Sequence, residues 1–321
     1  MTNSAVMMMF YRKDLYENAD EQAAFKAKYG YDLAVPTTWA QYRDTAEFFT
    51  RKAGDTLAGE TLTADFAGVA MTGKRHVATV LEWMDYGWTF GGGILDDAGN
   101  LVIDSQPSID ALQYMVDLTP FAQPGYANAT WDETTAALQQ GIAAQSITWG
   151  DTAGAMEAAD QSLVEGKMGY ASIPVLNEGD TNIAHLGSWT YTIPSASAQQ
   201  DAAWLFLQWA LSTDIQQQMA EKGGLPALTS AFEDADLVAR APVVVARELV
   251  GEGPGDLLQL GELRCLRLPE AQALLPQGCE LTCVPRLRLA LDESRDLLRP
   301  EHANARSITQ LGVQDVLERS G

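Results

Sequence analysis

After Phe232 this 321-residue chain carries no Trp, Tyr or Phe, although 8 Trp, 10 Tyr and 9 Phe lie at or before that point. Lysine stops as well, at Lys222, while Arg, Leu and Pro crowd 236–321. Stretches such as Leu263-Arg-Cys-Leu-Arg-Leu-Pro269 and Val284-Pro-Arg-Leu-Arg-Leu-Ala290 hold neither a 3.6 nor a 2.0 period. Such a tail offers no consistent buried face, and it is expected to pack poorly. Two origins stand open: an appended Arg/Leu-rich module, or a shifted reading frame.

Cysteine is scarce. Cys265, Cys279 and Cys283 all lie in that tail, and the C-x3-C spacing of the last two has no second pair or placed histidine to complete a zinc site. Positive charge is scarce too: 21 Lys and Arg against 43 Asp and Glu leave a net charge of -22. Phosphate backbones and anionic membrane surfaces would be repelled, so nucleic acid is excluded as a partner. No apolar run reaches the roughly 18 residues that span a bilayer. The first ten residues lack a basic leader and run directly into Tyr11-Arg12-Lys13-Asp14, so no secretory signal is expected in this chain. The three histidines, His76, His185 and His302, form no H-E-x-x-H, and no G-x-S-x-G or P-loop is present. No metal or cofactor is implied.

What is there is globular: 46% hydrophobic and 20% charged residues, enough for two domains with cores. From Asp14 to Glu233 helical and extended patterns alternate, which predicts an α/β fold. Thr38-Trp-Ala-Gln41 is a capping box, and Trp39, Tyr42, Ala46 and Phe49 recur on one face of the helix after it. Strands are expected at 67–72, 101–103, 143–149, 167–173 and 186–193. Helices are expected from about His76 to Trp88, closed by Gly91-Gly-Gly93, and from Ser105 or Ser108, with Ile109, Leu112, Met115 and Val116 facing inward. Thr130-Trp-Asp-Glu133 opens another helix, and Thr213-Asp-Ile-Gln216 caps the last. Trp204 and Trp209 sit on a regular helical face and read as core. Asp96-Asp97-Ala-Gly-Asn100 lacks the twelfth-position glutamate of a calcium loop and reads as a turn.

Tryptophan beside strand ends is the feature that carries chemistry. Trp149 closes an apolar strand and is followed by Gly150-Asp151; Trp189 lies in Gly187-Ser-Trp-Thr190. The C–H face of a sugar ring stacks on indole, and its hydroxyls need short polar partners such as Asp. Each indole could equally fill a core.

Five segments, taken together and in order, resemble the family 1 extracellular solute-binding proteins, to which maltose-binding proteins belong. Met9-Phe-Tyr-Arg-Lys-Asp-Leu15 resembles that family's "YYRKDLF" hinge strand, and Pro36-Thr-Thr-Trp-Ala-Gln-Tyr42 its "P-x-TWDE" helix start. Gly141-Ile-Ala-Ala-Gln-Ser-Ile-Thr-Trp149 resembles "GKAAM…W", Gly187-Ser-Trp-Thr-Tyr-Thr-Ile-Pro194 resembles "GGWSLGIP", and Ala202–Leu211 resembles "AAWEFLKWL". The resemblance covers about residues 5 to 235. It implies a periplasmic-binding-protein-like (type II) α/β fold of two lobes joined by crossing hinge strands that close on a solute. It further implies a hinge strand at 1–13, a nearly complete C-terminal lobe at 14–186, and a second hinge with a returning fragment of the other lobe at 187–235. Most of the N-terminal lobe is then expected to be missing. Carried over by position, Trp149, Asp151, Trp189 and, opening a helix aimed at the cleft, His76 are the expected ligand-binding residues. Trp149 and Trp189 are expected to share one concave surface with Asp151 at its edge. The expected partners are a sugar or polyol and the membrane permease of an ABC importer, with the protein monomeric and extracytoplasmic. Two other readings stay open: an enzyme using a carboxylate pair 5 to 9.5 Å apart across the cleft, and a fragment that binds nothing.

Overall fold

The structure, a computed structural model, describes residues 3–228 apart from Asp97, together with Ser230 and Asp236. The three cysteines, His302 and the expectations about the tail lie outside the described residues. The chain divides into two compact units, one of 1–192 with 204–252 and one of 193–203 with 253–321. In the described part of the second, Gln200 Nε2 donates to the Ser195 carbonyl at 2.9 Å and the Gln199 N–H to Ser197 Oγ at 3.2 Å.

The elements run β1 (Asn3–Arg12), α1 (Lys13–Tyr16), α2 (Ala19–Tyr29), α3 (Trp39–Phe49), β2 (Thr56–Leu57), β3 (Glu60–Thr61), β4 (Ala67–Ala70) and α4 (Val77–Thr89). They continue with α5 (Gln106–Leu118), α6 (Trp131–Gln139), β5 (Ala143–Trp149), α7 (Ala153–Met156), β6 (Met168–Ala171), β7 (Leu186–Trp189), α8 (Gln200–Ala210) and α9 (Thr213–Glu221). One mixed sheet organises them in the order β4-β5-β1-β6, with β7 also pairing β1, while β2 and β3 form a separate small hairpin. β4 and β5 are parallel, and β1 is antiparallel to β5, β6 and β7.

β1 is central, and its sequence shows why. Met7-Met8-Met9-Phe10 does not alternate with polar residues because both faces of the strand are covered. Met7 and Met9 face a core of Trp39, Tyr42, Phe49, Trp83 and Tyr86, whereas Met8 and Phe10 face Leu138, Met156 and Tyr170. β5 carries a buried Gln145 whose oxygen accepts from Tyr16 and Thr45 and whose Nε2 donates to the Tyr42 carbonyl at 2.8 Å, tying α3 to the sheet. Every polar atom of that amide oriented inward is thus satisfied, as burial demands.

Both capping boxes form, at Thr38–Gln41 and Thr130–Glu133. Trp39, Tyr42, Ala46 and Phe49 are all buried, as their spacing predicts. α5 corrects the sequence reading. Ile109, Leu112 and Val116 are 49%, 53% and 51% exposed, and the buried residues are Ser108, Ala111, Met115 and Leu118. Two stripes compete on this helix. The inner one contains Ala111, which brings the backbone close, and Ser108, whose Oγ accepts from the Gly93 N–H at 3.0 Å and meets the Val102 carbonyl. Trp204 and Trp209 are likewise half exposed rather than core. Periodicity says that a face is apolar, not that the described residues cover it. The 101–103 strand reduces to a single bridge between Leu95 and Leu101, and α9 is preceded by Ser212 rather than capped by Thr213.

Candidate functional site

The carboxyl end of β5 leaves the sheet at Trp149, and the turn that follows is built for tight passage. A Cβ on Gly150 would stand 2.9 Å from Met8 Sδ and 3.3 Å from the Val6 carbonyl oxygen, so any larger residue must displace the Met8 side chain where the chain passes β1. Thr152 Oγ1 donates to the Trp149 carbonyl at 2.7 Å and holds the turn into α7. Asp151 sits half-buried in that turn.

The Trp149 indole is half-buried and stands in a row of rings. Trp131, the first residue of α6, lies 6.3 Å away at 71° between ring planes. His185 lies 5.4 Å from it at 82°. The row extends from Trp131 to His76, edge to face at 5.7 Å, and from His185 to Trp88 at 5.3 Å and 30°. His76 is the N-cap of α4, its Nδ1 accepting the Ala78 N–H at 3.1 Å, and Trp88 belongs to the last turn of α4. The arc therefore runs beside α4 from one end to the other, about 18 Å for twelve residues. Trp131, Trp149, His185 and Trp88 are all of intermediate burial and His76 is exposed. A core aromatic is enclosed; these five keep accessible ring surface.

Of the four residues expected from sequence, Trp149 and His76 lie in the arc, joined through Trp131, and Asp151 follows Trp149 directly. Trp189 lies on β7 opposite Asn3, whereas Trp149 lies opposite Met7, and it is 76% exposed. The contact between β7 and the Trp149 ring is made by Gly187. Sequence reasoning missed Trp131, His185 and Trp88. Trp131 was visible as the first residue of a capped helix preceding the Trp149 strand, but nothing local marks His185 or Trp88.

Burial pushes the Glu82 carboxyl up to about 7, against hydrogen bonds from the Thr72 N–H and hydroxyl and from the Tyr86 hydroxyl. Asp85, one turn further along α4, is raised well above the usual carboxylate range, first by burial and then by Glu82. Burial lowers His185, which favours its neutral ring. Among the described residues no group of three or more His, Cys, Asp or Glu is placed to hold a metal, and no helix is long and apolar enough to cross a membrane.

Comparison with known proteins bears on the fold and the family. A probable amino-acid ABC transporter periplasmic-binding protein of Sinorhizobium fredii is 30% identical over 178 residues, which are 54% of this chain and 39% of that one. Among solved structures, an ABC transporter solute-binding protein of Agrobacterium radiobacter K84 in complex with ribitol is similar with a TM-score of 0.65 and 26% identity, over 77% of this chain and 57% of that one. The maltose-bound MalE3 of T. maritima has a TM-score of 0.61 and 26% identity, over 77% of this chain and 59% of that one. The chain thus spans less than two thirds of the length of each. A family model described as bacterial extracellular solute-binding protein matches residues 2–217. With that match over most of its length, and with the mixed α/β fold of the solved relatives, the chain belongs to the bacterial extracellular solute-binding proteins.

Proposed function

We propose that this protein captures a neutral, polyhydroxylated solute (a sugar, polyol or glycoside) for import by an ABC transporter, and that it catalyses nothing. The observation that carries the reading is the arc of rings from an exposed His76 through the half-buried Trp131, Trp149 and His185 to Trp88. Indole faces with accessible area suit the C–H faces of sugars, and Asp151 beside Trp149 is placed to accept a hydroxyl. Glu82 is sealed by Thr72 and Tyr86, which argues against a free carboxylate pair for glycoside cleavage.

In this reading 1–13 is the first hinge strand, 14–186 is the ligand-binding lobe, and 187–235 is the second hinge with a returning fragment of the other lobe. Trp189 belongs to the hinge and meets the solute on closure. The partner is the permease of the importer, and the working place is outside the cytoplasm. Ligand-observed saturation-transfer NMR with ribitol, mannitol, glucose and maltose tests the proposal. At least one probe should show transfer to its C–H protons and be recovered chemically unchanged. Trp149→Ala should lower affinity by about 1–3 kcal/mol, roughly ten- to a hundredfold. Absence of transfer for every probe, or full affinity without the indole, would sink the assignment.

A further inference from the structure

Asp85 is the least explained side chain near the arc. It lies on α4 with no exposed surface. One carboxyl oxygen accepts the backbone N–H of His185 at 2.7 Å, across a hundred residues of sequence. The other, Oδ2, is buried and without a partner among the described residues, as is Nδ1 of His185. Burying a carboxyl with half of its hydrogen-bonding capacity unused is expensive, and an apolar residue of like volume would stabilise α4 better. Stability alone does not account for it.

The other end of the same bond does. His185 stands just before β7, so its N–H belongs to no strand ladder, while its carbonyl accepts from the Met7 N–H at 2.8 Å. The backbone at His185 is thereby pinned through both flanking peptide groups, to α4 by the N–H of one and to β1 by the carbonyl of the next. The His185 ring is held between the indoles of Trp88 and Trp149. Glu82, the nearest other acid on α4, cannot take over, because its oxygens are engaged by Thr72 and Tyr86.

We propose that Asp85 is a positioning residue for the solute site: its carboxyl clamps the His185 peptide to α4 and so sets the ring that braces Trp149 and Trp88. The bond also joins the lobe helix to the segment entering β7, so the posture of the arc and the placement of that segment are coupled. The clamp itself rests on observed geometry; its effect on a solute rests on the functional reading above.

The full chain tests it by NMR. In the wild type, the His185 ring protons should show strong ring-current shifts from the two indoles, and the His185 amide should exchange slowly. Asp85→Asn keeps an acceptor of the same size and should preserve both signatures. Asp85→Leu should abolish the ring-current shift and speed exchange of the His185 amide about tenfold or more, with β1 and β5 amides still protected. It should also weaken maltose or ribitol binding roughly tenfold, with Asp85→Asn near wild type. An unchanged His185 ring in a folded Asp85→Leu, or equal loss in Asp85→Asn, overturns the clamp. If Asp85→Leu does not fold, the wild type still decides, because a fast-exchanging His185 amide is incompatible with the bond. A wild type that binds no probe would overturn the proposed function, and the two ligand-free signatures would still uphold or overturn the clamp.

Discussion

Gly187 offers a way to move the Trp149 indole without removing it. A Cβ built on Gly187 stands 2.7 Å from both Cζ3 and Cη2 of Trp149. Carbon atoms in contact prefer about 3.5–4.0 Å, so Gly187→Ala forces the ring back by about 1 Å. Backbone strain does not enter, since Gly187 is not among the glycines of positive φ. Overpacking of this kind costs about 1–3 kcal/mol. Restricting the unfolded chain returns about 0.4–1 kcal/mol. The net expectation is a loss of about 1–2 kcal/mol in unfolding free energy. Trp149→Phe removes the two ring atoms that clash, so in that background Gly187→Ala should keep only the gain of about 0.4–1 kcal/mol from restricting the unfolded chain. Urea denaturation of the four proteins, followed by far-ultraviolet circular dichroism, gives the coupling energy, expected at the overpacking cost of about 1–3 kcal/mol. Equal cost of Gly187→Ala in both backgrounds would refute the packing of β7 against the indole. It would also remove the reason for placing the hinge segment beside the site.

Trp39→Ala should lower stability by about 3–5 kcal/mol, because a fully buried indole packed on Tyr42, Tyr86 and Tyr114 and donating to Thr89 Oγ1 at 2.8 Å is lost; a denaturant midpoint close to wild type would contradict this. Glu82 is raised from 4.5 to about 7, so the native state binds the extra proton and stability falls as pH rises from about 4.5 to 7, by up to about 3 kcal/mol. Glu82→Gln should reduce that slope in urea melts taken across the window, leaving the part of the same sign that Asp85 contributes, and an unaltered slope would exclude Glu82 as a source. Saccharide affinity, measured by calorimetric titration, should fall roughly ten- to a hundredfold in Trp149→Ala and stay near wild type in folded Trp39→Phe.

The alternation of elements, the two capping boxes, the inward face of α3 and the limits of β5 were all legible in the sequence. Each depends on neighbours within a few residues: a hydroxyl three positions from a Gln or Glu, or apolar residues one helical turn apart. The same local logic singled out Trp149, since an indole ending an apolar strand before Gly-Asp is unusual within a short window. α5 shows where this stops. Both of its stripes satisfy the helical period, and the choice between them fell to Ala111 and to the Ser108 hydroxyl meeting Gly93 and Val102, contacts made by the loop before the helix. Exposure of Trp204 and Trp209 likewise depends on what lies over them, which a helical pattern does not encode.

The site divides along the same line. Family membership rests on ordered local motifs and could be read directly. The arc could not, because Trp131, Trp149 and His185 meet only after α6, β5 and the segment before β7 are brought together by the sheet. Asp85 and His185 are a hundred residues apart, and no period or spacing connects them. Sequence by itself determined which segments become helix or strand, since those choices are decided by short-range hydrogen bonds and side-chain periodicity. Only the tertiary structure decided which rings face one another and which buried carboxyl holds which peptide. Those are long-range contacts, whose energy exists only once the chain has closed on itself.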